Sequence, residues 1–116
     1  MTTIKDLMDM GDRRVMITGA TGGLGSIMAD TLAELGANLI LVDRPGSNFK
    51  KLESTLKDRW QVDIQSFFCD LENEDERLSL INQVRQDGCG LNSLINNASF
   101  TGASDLEGWG VQFEKQ

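Results

Sequence analysis

Four short apolar runs recur along the chain, and each is separated from the next by a polar stretch with helical patterning. The runs are Arg14–Thr18 (RVMIT), Asn38–Asp43 (NLILVD), Val62–Cys69 (VDIQSFFC) and Leu91–Asn96 (LNSLIN). Their lengths suit buried strands. Between the first two, Leu24, Ile27, Met28, Thr31, Leu32 and Leu35 recur at helical spacing, and Gly36 stands where a helix C-cap belongs. After the punctuation of Pro45-Gly46-Ser47, Asn48–Trp60 reads as a second, amphipathic helix. A third opens at Asn73 or Glu74, carries acids in its first turn as the helix dipole favours, and runs to about Gln86. Asp87-Gly88-Cys89-Gly90 stops it. Residues 1–12 read as an irregular or weakly helical lead-in, and Ala98 to Gln116 as loop.

Strands alternating with helices imply a parallel sheet with helices on both faces. Right-handed crossovers then favour the spatial order 3-2-1-4, the first half of a doubly wound α/β sheet of Rossmann type. Ligands of such sheets bind at the carboxyl ends of the strands, at the switch point between strands one and four. Two of the main helices are expected on one face and only the third on the other. That leaves much of strands one and four bare, with strand four an open edge, and predicts self-association into a homo-oligomer.

Valine-to-serine residues 15–26 (VMITGATGGLGS) place four glycines where the first strand hands over to a helix. Glycine inside an element costs roughly 0.5–1 kcal/mol relative to alanine, so the turn needs a reason for them. Unpaired N–H groups at a helix start form an anion site, open to a pyrophosphate only where no side chains intervene. Gly19 and Gly23 would permit the tight turn and close approach, and Gly25 would let the helix pack on the sheet. A tight βα turn without a ligand would use glycines too. Asp43 ends the second strand 18 residues after Gly25. A carboxylate there can accept from both ribose hydroxyls of an adenosine and repels a 2′-phosphate, favouring NAD over NADP. Arg44 beside it pulls the other way, since a guanidinium could pair with that phosphate. Asp70 after the third strand could meet the adenine amine or serve as a turn cap. Asn96-Asn97-Ala98-Ser99 could tie the strand ends together, line the cofactor, or act as ordinary turn residues.

Composition narrows the chemistry. The chain has 116 residues, one domain's worth, 40% hydrophobic and 25% charged, with a net charge of −7. No basic stripe suggests nucleic acid, and no apolar run approaches the ~20 residues of a membrane span. The two cysteines, Cys69 and Cys89, have no metal-ligand spacing and read as buried or inert, and no metal is expected. A reduced, cytoplasmic setting follows. The methionines and phenylalanines read as core. There is no histidine and no tyrosine.

Together these motifs resemble the short-chain dehydrogenase/reductase family. Its TGxxxGxG pattern is met by Thr18-Gly19-Ala20-Thr21-Gly22-Gly23-Leu24-Gly25, its strand-end acid by Asp43, its Asp-Leu pair by Asp70-Leu71. Its NNAG motif appears as Asn96-Asn97-Ala98-Ser99, with serine in place of the last glycine. The resemblance implies that Gly19, Leu24 and Gly25 approach a pyrophosphate, within a glycine turn that includes Thr21, Gly22 and Gly23. It implies that Asp43 takes the adenosine ribose, that Asp70 and Leu71 contact adenine, and that Asn97 and Ala98 pass near the other ribose. The tail Gly102–Gln116 resembles the substrate-side loop of family members from bacterial surface-sugar or flagellin-glycan pathways.

The resemblance also implies a tyrosine and a lysine four residues apart on a later helix, a serine on a fifth strand and a relay asparagine. None can be placed here. Trp109 and Gln116 have the separation of a helix tryptophan and the relay residue, but Gln116 is not asparagine. Residues 1–116 therefore read as one incomplete cofactor-binding domain of a hydride-transferring oxidoreductase acting on an alcohol or carbonyl, inactive alone. A short NAD-binding regulatory module and a fragment with an empty glycine turn are the alternatives. Sequence beyond Gln116 separates them.

Overall fold

The computed structural model describes residues 1–99. Trp109, Gln116 and the tail from Gly102 lie outside them. After a single exposed turn α1 (Ile4–Met8), closed by a Thr3–Asp6 capping box, the order is β1 (Arg14–Thr18), α2 (Gly23–Glu34), β2 (Asn38–Asp43), α3 (Phe49–Arg59), β3 (Ile64–Phe68), α4 (Glu74–Arg85) and β4 (Ser93–Ile95). All pairings are parallel, and the sheet order is β3-β2-β1-β4, as the alternation of apolar runs implied. The third and fourth strands are shorter than the apolar runs, because Val62 and Leu91 lie outside the paired ladder.

Period-two alternation sorts the central strands onto two faces. Val15, Ile17, Leu39 and Leu41 form one core with Ala29 and Ala33 of α2 and Phe49 and Leu56 of α3. Met16, Ile40 and Val42 form the other with Leu80 and Val84 of α4 and with Cys69. The first strand is therefore not bare, contrary to expectation: all five of its residues are buried, α4 reaching far enough to share a core with Met16. Of the two strands expected bare, β4 alone is so, an edge strand whose Leu94, beside Met16, is 50% exposed. Leu91 just before it and Leu78 and Ile81 on α4 are also exposed.

The helical period of α2 was legible, but its inner face was not. Leu24 and Ile27 are 60% and 64% exposed, whereas Gly25, Ala29 and Ala33 are buried. Small residues every fourth position let the helix axis come close to the sheet. Met28 and Leu32 flank that stripe and are partly buried. The helix ends in a Schellman motif, with the Gly36 N–H on Ala33 O and the Ala37 N–H on Leu32 O, Gly36 taking φ +98°. Nor are all methionines and phenylalanines core: Met16 and Phe49 are buried, but Met1, Met8 and Phe68 are exposed.

The two ends of the sheet differ. At the amino end, the Arg14 guanidinium is buried and joins three segments. It donates to both Asp87 carboxylate oxygens, to Gly90 O at 3.0 Å and to Gln65 Oε1 at 3.1 Å. At the carboxyl end, the turns after β1, β2, β3 and β4 come together and leave an open groove.

Candidate functional site

That groove has a volume of about 840 Å³ and is lined by Gly19, Thr21 and Gly22 after β1, by the Asp43–Ser47 turn, by Cys69–Glu72 with Glu76, and by Asn97–Ser99. Ten residues singled out from sequence meet there: Gly19, Thr21, Gly22, Asp43, Arg44, Asp70, Leu71, Asn97, Ala98 and Ser99. Thr18, Gly23, Leu24 and Gly25 stand behind or beside it. Asn96 is exposed.

The glycines divide by cause. Gly19 has φ +66°, and a Cβ on it would lie 3.0 Å from the Ala98 Cα. A Cβ on Gly25 would lie 2.2 Å from the Gly19 carbonyl oxygen. Gly25 is thus required by the turn that follows β1, not by the sheet itself. Gly23 differs from its sequence reading: it is the first residue of α2, has no left-handed φ, and a Cβ on it meets nothing within 4 Å among the described residues. The tight turn does not need Gly23, and its bareness leaves open space at the helix start.

That helix start is also uncapped. Thr3, Asn48 and Asn73 accept N–H bonds at the starts of α1, α3 and α4, but Gly22 offers α2 no side chain. The first intrahelical bond is Ser26 N–H to Gly22 O. The N–H groups of Gly23, Leu24 and Gly25 precede it and carry the positive end of the helix dipole. An anion is the complement of this geometry.

Thr18 is a tie rather than a lining residue. Its buried hydroxyl accepts the N–H groups of Asn97 and Ala98 at 3.1 and 3.0 Å. The Asn97 side-chain amide donates to Gly19 O at 3.2 Å. Of the roles open to the Asn97 amide, tying the ends of β1 and β4 together is the one observed.

Asp43 is half-buried and already engaged. Its Oδ2 accepts the Thr21 N–H at 2.9 Å and the Thr21 hydroxyl at 2.6 Å, and its Oδ1 accepts the Arg44 N–H at 2.8 Å. Burial works to raise its pKa. The bonds from Thr21 and Arg44, with the Ser47 hydroxyl, outweigh burial and hold the carboxyl below its ordinary range. Asp43 is therefore ionised at neutral pH. Sequence alone did not pair Thr21 with Asp43; the usable clue was the parallel register that sets Thr18 beside Val42 and brings both turns to one edge.

Asp70 acts locally, its Oδ1 accepting the Glu72 N–H at 3.0 Å, and its own N–H donates to Glu76 Oε1. With Asp43, Glu72 and Glu76 it makes the lining acid-rich, four carboxylates against one cation, Arg44, among the described residues. Burial, then the charges of Glu76 and Asp70, push the Cys69 thiol up, which keeps it unreactive. Among the described residues, no cluster of three or more His, Cys, Asp or Glu is placed to hold a metal, and no helix is long and apolar enough to cross a membrane.

Parallel strands in the order 3-2-1-4, a glycine turn into an uncapped helix and an acid at the next strand end define a Rossmann-type half-sheet. Residues 13–111 match the family described as short chain dehydrogenase, and the chain belongs to that family. A bovine (Bos taurus) relative, dehydrogenase/reductase SDR family member 11, is 31% identical over 108 residues, which cover 88% of this chain and 42% of the relative. Among solved structures, an NAD⁺-bound xylitol dehydrogenase superposes with a TM-score of 0.76 at 26% identity, over 91% of this chain and 41% of that one. An NADPH-dependent 3-quinuclidinone reductase from Rhodotorula rubra gives 0.73 at 26% identity, over 81% and 35%. The chain thus spans less than half the length of each of these relatives.

Proposed function

We propose that this chain supplies the cofactor-binding part of an oxidoreductase that moves hydride between a nicotinamide dinucleotide and a small alcohol or carbonyl substrate. The observation that carries this reading is the uncapped start of α2, whose N-cap Gly22 lines the same groove as the ionised Asp43. The N–H groups of Gly23, Leu24 and Gly25 would hold the pyrophosphate. Asp43 would take the adenosine ribose, Asp70 and Leu71 would border adenine, and Asn97, Ala98 and Ser99 would flank the second ribose. When bound, the nicotinamide supplies or accepts the hydride. The protein's own part is to seat the dinucleotide, orient it and surround it with fixed dipoles.

NAD is favoured over NADP. Four carboxylates facing one guanidinium make the lining a poor host for an added 2′-phosphate. The 116 residues contain no tyrosine, so the chain alone has no phenolic proton donor, and no turnover is expected from it alone. The exposed flank of β4 and α4 is the surface on which we expect a second copy or further chain to pack, in a cytoplasmic homo-oligomer.

Calorimetric titration of NAD⁺, NADP⁺ and adenosine diphosphate into the protein expressed from its whole reading frame tests this. NAD⁺ is expected to bind more tightly than NADP⁺, with adenosine diphosphate retaining part of the affinity. Absence of heat with all three refutes the reading.

A further inference from the structure

The Asp43 carboxylate is nearly full before any ligand arrives. Two carboxylate oxygens offer about four lone-pair directions. Thr21 fills two on Oδ2, through its N–H and its hydroxyl, the Arg44 N–H fills one on Oδ1, and the nearby Ser47 hydroxyl adds a weaker attraction. A ribose cis-diol brings two O–H donors, and Oδ2 has no direction left for the second.

The hydroxyl bond is not needed to aim the carboxylate. Each oxygen is already held by a main-chain N–H, from Thr21 at 2.9 Å and from Arg44 at 2.8 Å. Those amides belong to the backbone and survive any change of the Thr21 side chain. The hydroxyl at 2.6 Å is the short, charge-assisted kind, and it occupies the position a sugar hydroxyl would take.

We propose that the Thr21 hydroxyl is a latch on Asp43: it stands in for a ribose hydroxyl in the free protein and must be displaced when the diol binds. The proposal rests on the reading of this groove as an adenosine site. The latch keeps the carboxylate satisfied when the groove is open to water, and it weakens adenosine binding by the strength of one bond. Displacement is an exchange of hydrogen bonds, the Thr21 O–H turning away as the sugar O–H takes its acceptor, and no proton changes owner.

Thr21→Val removes the hydroxyl, keeps the N–H and the branched shape, and is expected to tighten NAD⁺ binding about tenfold, as the loss of one charge-assisted competitor implies. Thr21→Ser restores the hydroxyl and is expected to return the affinity toward wild type. A 2′-deoxyadenosine diphosphate probe, which has one donor fewer, is expected to gain less from Thr21→Val than adenosine diphosphate does. Equal or weaker NAD⁺ binding by Thr21→Val overturns the latch and leaves the cofactor reading standing. Absence of NAD⁺ binding by the wild type overturns both. A second measurement needs no variant: the Thr21 hydroxyl proton, protected by Asp43 in the free protein, is expected to lose its hydrogen-bond signature in NMR spectra on saturation with NAD⁺. Its persistence in the complex overturns the proposal.

Discussion

Gly23 and Gly25 are two residues apart in one motif, yet the structure assigns them opposite sensitivities. A methyl group on Gly25 would sit 2.2 Å from the Gly19 carbonyl oxygen and 2.9 Å from both the Gly19 carbonyl carbon and the Asn97 side-chain nitrogen. Two of these contacts are main chain, so no side-chain rotation relieves them. The start of α2 must retreat by more than an ångström, and the Asn97 bond that ties the β4 end to the glycine turn goes with it. Overpacking of this kind costs about 1–3 kcal/mol, against which alanine recovers roughly 1 kcal/mol of helix propensity. A 2.2 Å contact with main chain stands at the upper end of that range, so Gly25→Ala is expected to lose about 2 kcal/mol net and to lower the urea midpoint by roughly 1 M. On Gly23 the same methyl group meets nothing within 4 Å among the described residues. Gly23→Ala is expected to hold or gain stability, by up to ~1 kcal/mol, since it restricts the unfolded chain. If a diphosphate seats on the bare helix start, that variant pairs unchanged or raised stability with weakened NAD⁺ affinity. Urea titration followed by circular dichroism, with calorimetry on the same samples, reads both quantities. A Gly25→Ala protein as stable as the parent, or a Gly23→Ala protein that is destabilised, would refute the packing on which the site is built.

Three further outcomes follow from named contacts. Because hydrogen bonds hold the folded Asp43 pKa below its ordinary 3.8, the folded state binds fewer protons there than the unfolded chain as pH falls through that window. The stabilisation is complete above the unfolded value and is lost as pH drops through the folded one, so Asp43→Asn should flatten the acid limb of a stability–pH curve below about pH 4 while weakening NAD⁺ binding. Arg14→Lys keeps the charge but loses the planar fork that reaches Asp87, Gly90 and Gln65 together; a thermal midpoint lower by about 5 °C is expected, and an unchanged midpoint would show the clamp to be idle. Leu94→Lys places a charge on the exposed flank of the edge strand; it should shift sedimentation toward smaller species, and identical sedimentation of variant and parent would place any self-association elsewhere.

How much of this was legible in the sequence depended on how local the cause was. The first two strands match their apolar runs end for end because β1 and β2 are central, covered on both faces and continuously apolar. The outer strands came out shorter because an edge is paired on one side only, so apolar residues continue past the last ladder bond. The α2 face was misjudged because large side chains dominate a helical pattern, whereas helix and sheet meet here through Gly25, Ala29 and Ala33. Coverage of β1 was underestimated because a helix count ignores reach: Leu80 and Val84 belong to one buried cluster with Met16.

The groove shows the same division. Its members announced themselves by residue type at strand ends, and the parallel topology alone was enough to gather ten of them. Their partnerships did not. That Thr21 occupies Asp43, and that Thr18 occupies Asn97 and Ala98, depends on the register between neighbouring strands, which no single stretch of sequence encodes. The same holds for the glycines, which look alike as letters. Gly25 is bare because another part of the chain fills the space, and Gly23 is bare although nothing among the described residues does. A residue kept small with no intramolecular neighbour to require it is the feature that points outward to a ligand, and only the folded arrangement separates it from the glycine two positions away.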